Sequence, residues 1–403
     1  MSQEATDPRH NRRQVAWLSL GQLITWGSVF YTFSLLMEPV ERELGLTRAE
    51  SSLAFSLALL VEGLLAYPVG RWIDRGHERA VMTGGSVLIA IGLVLHAFVT
   101  DLTTFYAVWI LLGAGLSATL YPPAFAVITR RYPNDFRRAI ITMTLLGGLA
   151  STVFIPVSAW LIGALGWRPA TCVLAALHLA VCVPLHAWVL RHAPRPASTA
   201  QSRQEGRAEL ARLVRSPSYL LIVLFIVGVM GVTSALPAHM VSLLREAGLP
   251  AAWVVAVPAS IGLIQVLGRI LLLFFEHRFD LHMANRLIPV FIPLGLVALL
   301  ASLATGGSVG LALAFVGIYG LGNGMLTIVK GTAVAQYVSR AHVASLNGAM
   351  GLPTALARAA GPWLMGLLWT PAGGYAAGLW VMLAVAVVAT GALWMAQAVA
   401  RAE

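Results

Sequence analysis

Gly70-Arg71-Trp72-Ile73-Asp74-Arg75-Gly76-His77-Glu78-Arg79 packs three arginines and two acids into ten residues of a chain that is only 11% charged. Apolar segments flank it, over roughly 49–70 and 80–99. A knot of charge this dense needs water or the headgroup boundary, so the two segments form a membrane hairpin with this stretch as its link. Arginines so close to helix ends set the link on the cytoplasmic side.

The rest of the chain agrees with a membrane reading. Of its 403 residues, 58% are hydrophobic, and the mean hydropathy is +0.79. Such a composition excludes a soluble globular domain. Twelve segments are long enough to span, at 14–36, 49–70, 80–99, 104–129, 139–164, 169–190, 218–241, 252–275, 286–304, 308–334, 345–370 and 373–396. The fold class expected is therefore an all-α membrane protein of twelve transmembrane helices in two six-helix bundles. An even number of spans puts both termini on one side. Of the 27 Arg and Lys residues, 20 fall in the segments then assigned to the cytoplasm and four (Arg42, Arg48, Arg168 and Arg245) in outer links. That bias sets both termini inside. It also explains the net charge of +10 without invoking nucleic acid. Residues 1–14 are polar and lack the apolar core and cleavage site of a secretory signal. Cys172 and Cys182, ten residues apart on one helix, are separated by about 15 Å of rise, which excludes a disulfide between them.

The longest link divides the chain into an N-terminal bundle, 1–190, a cytoplasmic linker, 191–217, and a C-terminal bundle, 218–403. Pro194 to Gln204 reads as a flexible tether, and Glu205 to Arg215 as a short amphipathic helix with Leu210 and Leu213 on its apolar side. The two bundles look like a diverged repeat at an offset of about 206 residues. Gly113-Ala-Gly115 in the fourth segment matches Gly320-Leu-Gly322 in the tenth, and Pro156 matches Pro362. The counterpart of the opening stretch, Phe275-Glu276-His277-Arg278, is eroded.

With these residues in hand, the chain resembles the major facilitator superfamily. Gly70, Asp74, Arg75 and Arg79 fit that family's loop between helices 2 and 3, although His77 stands where a second glycine is usual, with Gly76 one place early. The resemblance implies that Gly70, Asp74, Arg75 and Arg79 form a cytoplasmic gate. A narrower resemblance, to the monocarboxylate and oxalate/formate exchanger branch, rests on Arg130-Arg131-Tyr132, Arg137-Arg138, Gly147-Gly148, Pro156 and Gly166-Trp167-Arg168. That branch carries an arginine in helix 8, matched by Arg269, and a further cation in helix 11, where this chain has Arg358. In proton-coupled members an acid stands one turn before the helix 8 arginine. Gln265 stands there in this chain, so the resemblance carries no proton-coupling pair.

An ionised group at mid-membrane costs at least about 2.5–3.5 kcal/mol, so such residues mark function. Arg358 lies too deep to snorkel and is expected to meet an anion, with Arg269 and Gln265 as further substrate-binding residues. Lys330 sits near the cytoplasmic end of its segment and is expected to snorkel to the interface. Glu62, alone in depth among the acids, is either the protonatable, proton-coupling group or a stitch to a neighbouring helix. Gln22, in the first segment with Trp26 and Phe33, and Tyr121, before Pro122-Pro123, are candidate substrate contacts on an aromatic stripe that also suits simple packing. His96, His178, His186 and His239 are scattered singly. Trp109 occupies the position at which proton antiporters of the superfamily carry an arginine, which argues against drug–proton exchange.

No nucleotide-binding loop, catalytic triad or metal-ligand spacing is present, so an enzyme is not expected and cofactors are expected to be none. The expected partners are a small-molecule anionic substrate and the lipid bilayer, with no nucleic acid, for a monomer. The expected function is a secondary active transporter of small, monocarboxylate-like organic anions in a bacterial-type inner membrane. The alternatives are a proton-driven exporter of hydrophobic or cationic compounds, or a receptor that uses the same fold without turnover.

Overall fold

A computed structural model describes residues 8–132, 136–191, 206–275, 281–339 and 342–402. The eroded stretch after Phe275 and most of the 191–217 linker lie outside them. Described residues are helical nearly throughout, as a bilayer demands when no water is present to satisfy backbone N–H and C=O groups. The spans are α1 (Arg13–Leu44), α2 (Arg48–Trp72), α3 (Glu78–His96), α4 (Leu102–Arg131), α5 (Arg138–Leu165), α6 (Trp167–Val189), α7 (Pro217–Glu246), α8 (Ala251–Phe275), α9 (His282–Ala304), α10 (Val309–Tyr337), α11 (Gly351–Leu367) and α12 (Ala376–Ala402).

By length and hydropathy, ten helical runs among the described residues can cross a membrane. The difference from twelve has two local causes. One run, Arg48–His96, carries both α2 and α3, joined through a π-helical turn at Ile73–His77 in which Gly76 adopts φ +91°. Only glycine occupies that backbone region without strain, so Gly76 makes the hairpin turn. The eleventh segment is broken into Val343–Ala349 and α11, each too short to qualify alone. Pro353 has no N–H for the Ala349 carbonyl, and Gly348 and Gly351 weaken the helix around it.

Other helix ends follow from local chemistry. Asp101 caps α4, accepting from the Thr104 amide at 3.0 Å while the Thr104 side chain answers the Asp101 backbone. That amide holds the Asp101 carboxyl below the usual carboxylate range. Between α6 and α7 a short helix, Gly206–Val214, packs on Val343–Ala349 with Leu210 and Leu213 half-buried.

The helices divide into two compact units, one of Met1–Leu46 and Leu57–Ala197, the other of Thr47–Ser56 and Ser198–Glu403. In the first, α3 packs along α4, and the start of α5 along α1. In the second, α10 packs on α8 and α9, and α7 on α11 and α12. The repeat is visible in these contacts. A Cβ at Gly113 would lie 2.7 Å from Ala58 Cα of α2, and one at Gly320 would lie 2.8 Å from Ile264 Cγ2 of α8. Gly115 meets Ile89 of α3 in the same way that Gly322 meets Phe291 of α9. The matching glycines of α4 and α10 therefore serve the same close crossings in each unit, where removal of a side chain lets backbones touch.

Gly113→Val and Gly320→Val are expected to lower the melting temperature of the purified protein by several degrees, since overpacking costs about 1–3 kcal/mol. Gly84→Val, at a position with open space around it, should be silent. Equal melting of all three variants would refute the close-crossing account.

Candidate functional site

The second unit holds three membrane-embedded cations, Arg269, Lys330 and Arg358. Arg269 of α8 directs its Nε to the Gly324 carbonyl of α10 at 3.4 Å. Gln265, one turn earlier, is buried, with its backbone against Gly324: a Cβ there would sit 2.8 Å from Gln265 Cα. Six residues beyond Gly324, Lys330 is half-buried with its Nζ 3.1 Å from Met230 Sδ of α7. Lys330, the only lysine of the chain, stands two turns short of the end of its helix at Tyr337.

Arg358 is positioned by a missing donor. Pro362 has no N–H, so the Arg358 carbonyl one turn before it loses its helical partner. Ser234 Oγ of α7 donates to that carbonyl at 2.9 Å. Gly231 and Gly361 allow the approach, with Gly231 facing the Ala357 carbonyl. The Pro362 carbonyl in turn accepts from His239 Nε2 at 2.8 Å, and His239 Nδ1 lies 3.1 Å from the Tyr375 hydroxyl. Since the carbonyl can only accept, Nε2 carries the hydrogen and, in the neutral ring, Nδ1 accepts from Tyr375. Tyr375 also receives Arg48, which pairs with Glu246 at 3.1 Å and stacks on Trp369 at 4.9 Å. Through Arg48 and its neighbours, the first turns of α2 belong to the second unit.

The first unit holds the other candidates. Gln22 is fully buried, and its Nε2 donates to the Thr119 carbonyl at 2.6 Å. That carbonyl is left without a helical donor by the extended backbone at Leu120 and by Pro123. Tyr121 stacks on Phe125, 5.2 Å away, with Trp26 at 5.3 Å and its hydroxyl toward Gly147. Glu62 is buried on α2, one turn after the Ala58 that abuts Gly113. The histidines, single in sequence, are built into the interior. His178 lies 2.7 Å from Ser28 Oγ and His186 2.8 Å from Ser86 Oγ, while His96 is ringed by Phe105, Trp109 and Trp167.

At the α2–α3 turn the acids divide. Asp74, Arg75 and Arg79 are exposed, and Gly70 has open space beside it, whereas Glu78 is fully buried. Glu78 takes Arg131 Nε at 2.6 Å and Arg130 at 3.4 Å, both from the end of α4, and Arg130 also reaches the Ile73 carbonyl. Sequence reading dwelt on Asp74 and passed over Glu78. The available signal was the adjacent pair Arg130-Arg131 at the end of α4.

Glu78→Gln is expected to destabilise the purified protein by about 3–5 kcal/mol, because it strands buried guanidinium groups. Asp74→Asn should leave the melting temperature near that of the wild type. Similar melting of the two variants would remove Glu78 as the group that holds α4 to this turn.

Comparison with known proteins agrees with this architecture. Residues 18–318 match the family model described as Major Facilitator Superfamily. Monocarboxylate transporter 13 of Bos taurus is 33% identical over 204 residues, which cover 48% of this chain and 45% of that protein. Monocarboxylate transporter 11 of Homo sapiens is 35% identical over 136 residues, 32% of this chain and 27% of that protein. The matched stretches thus span less than half the length of these two relatives. Among solved structures, a bacterial homolog of the human lysosomal transporter Spinster aligns with a TM-score of 0.75 at 16% identity, covering 97% of each chain, a likeness of fold alone.

Proposed function

This chain belongs to the Major Facilitator Superfamily, and from that premise we propose that it is a secondary active carrier of small organic anions, monocarboxylates among them. As a member of that family it is a membrane transporter rather than an enzyme. The observation that carries the anion reading is that Arg269, Lys330 and Arg358 lie within α8, α10 and α11, helices that hold no carboxylate of their own. The relatives named monocarboxylate transporters support it, as does the branch resemblance.

In this reading the carrier works in a bacterial-type inner membrane as a monomer with both termini cytoplasmic. Arg358 offers a planar fork of donors that suits a carboxylate bidentately. Arg269 provides the second cation, and Gln265 an amide beside it. Without a ligand, like charges in a medium of low dielectric repel, which disfavours closure around a vacant site. A bound carboxylate removes that cost and permits the alternating-access step. Gly70, Asp74, Arg75 and Arg79, at the turn that Gly76 and Glu78 shape, act as the cytoplasmic gate. Glu62, buried in α2, is the group that takes up a proton where transport is proton-coupled.

Anion binding to the purified protein at low salt tests the core of this reading. Arg358→Lys should weaken binding several-fold and Arg358→Ala abolish it, since a hydrogen bond to a charged group contributes about 1.5–3 kcal/mol. Equal affinity in wild type and both variants would sink the anion site. In proteoliposomes, Glu62→Gln should remove pH-driven accumulation and spare exchange. Asp74→Asn should slow transport with insertion intact.

A further inference from the structure

At one end of the second unit, where α7 begins and α10 ends, lies a cavity of about 850 Å³. The short helix Gly206–Val214 supplies Arg212 and Leu213 to its wall, and Arg215 follows just past the end of that helix. The first turn of α7 adds Ser218, and Val338 closes the cavity beyond α10.

The charge here is one-sided. Arg212 and Arg215 are exposed and make no ion pair among the described residues, and no carboxylate stands among the described residues that line the cavity. Glu209, the only acid of the short helix, turns instead to His342, 3.9 Å away. Ser216, which caps α7, is already committed. Its Oγ donates to the Leu213 carbonyl at 2.7 Å and accepts from the Tyr219 amide at 3.3 Å. Ser218 is not committed: it is 1% exposed, and its hydroxyl has no hydrogen-bond partner among the described residues. A buried hydroxyl without a partner is costly, and a ligand oxygen that accepts from it removes the cost. The Ser218 amide stands in the first turn of α7, where N–H groups lack helical acceptors and the helix dipole attracts negative charge.

We propose that this cavity binds the phosphodiester headgroup of an anionic phospholipid. Arg212 and Arg215 present guanidinium forks that match phosphate oxygens, and Ser218 donates to the same group. Free phosphate shares that chemistry, but the surroundings select the lipid. Leu213 and Val338 line the cavity half-buried, Leu210 and Leu213 form the apolar side of the short helix, and two spans end here, at the depth of lipid headgroups. The ammonium of a zwitterionic headgroup finds no carboxylate among the lining residues, so net negative lipids are favoured. A lipid held in this way ties the short helix to the start of α7 and the end of α10. The site is separate from the transported substrate.

Native mass spectrometry of the purified, delipidated full chain in nonionic detergent tests this. The probes are dioleoylphosphatidylglycerol and dioleoylphosphatidylcholine, with inorganic phosphate as competitor. The wild type is expected to bind phosphatidylglycerol at least about tenfold more tightly than phosphatidylcholine, the scale of one charge-assisted hydrogen bond. Arg212→Gln combined with Arg215→Gln should lower phosphatidylglycerol affinity at least about tenfold and leave phosphatidylcholine affinity within about twofold. Arg401→Gln, which removes an exposed cation at the end of α12, should keep both affinities within about twofold of wild type. Ser218→Ala should bind phosphatidylglycerol several-fold more weakly yet melt no lower than the lipid-free wild type, since its hydroxyl has no protein partner to lose. Equal affinity of the wild type for the two lipids overturns the proposal. So does a double variant with its preference intact, or an equal loss in Arg401→Gln. Displacement of phosphatidylglycerol by millimolar inorganic phosphate assigns the cavity to free phosphate and overturns the lipid reading. Should the double variant fail to fold, judged by its melting curve, Ser218→Ala decides in its place, and unchanged phosphatidylglycerol affinity in that variant overturns the site.

Discussion

A backbone carbonyl without a donor has no water to turn to inside a bilayer, and each helix-interior proline creates one. Two such carbonyls organise the candidate site residues of this protein. Pro123 and the extended backbone at Leu120 free the Thr119 carbonyl, and Gln22 of α1 captures it. Pro362 frees the Arg358 carbonyl, and Ser234 of α7 captures it. In both cases a polar side chain on a neighbouring helix is committed to the backbone, and that commitment fixes where the next residue stands. Arg358 owes its place to this repair. Its guanidinium projects from a turn whose backbone is already tied to α7, with Gly231 and Gly361 bringing the two helices together.

The same economy governs the charges. Guanidinium groups within the membrane region or at its edge are matched to carboxylates where these exist. Arg130 and Arg131 close on the buried Glu78, Arg168 on Glu43, and Arg48 on Glu246. These pairs are structural: they hold α4 to the α2–α3 turn, α6 to α1, and the start of α2 to α7. Arg269, Arg358 and Lys330 lie on helices that hold no carboxylate of their own.

Local patterns announced most of the scaffold. The apolar runs, the arginine bias of the links and the glycine pairs of α4 and α10 could be read directly, because length, hydropathy and small-residue spacing act within one helix. The expected uninterrupted eleventh span was the exception, and its break was written in Gly348, Gly351 and Pro353. Reading of the site was less complete. Arg358 stood out by depth, but Glu78 was hidden beside Asp74. Which of two acids four residues apart turns inward depends on the α4 arginines, more than 50 residues away.

What the sequence determined by itself is the transmembrane framework: apolar helices and a repeat of one bundle in the other. Transfer to lipid is a property of each segment and is settled segment by segment. Only the tertiary structure decided the pairings: Lys330 with Met230, Glu78 with Arg130 and Arg131, Gln22 with Thr119, Ser234 with Arg358. These contacts join residues dozens to more than a hundred positions apart, and they depend on how helices rotate and cross. That geometry is set by glycine contacts and freed carbonyls, which no hydropathy pattern records.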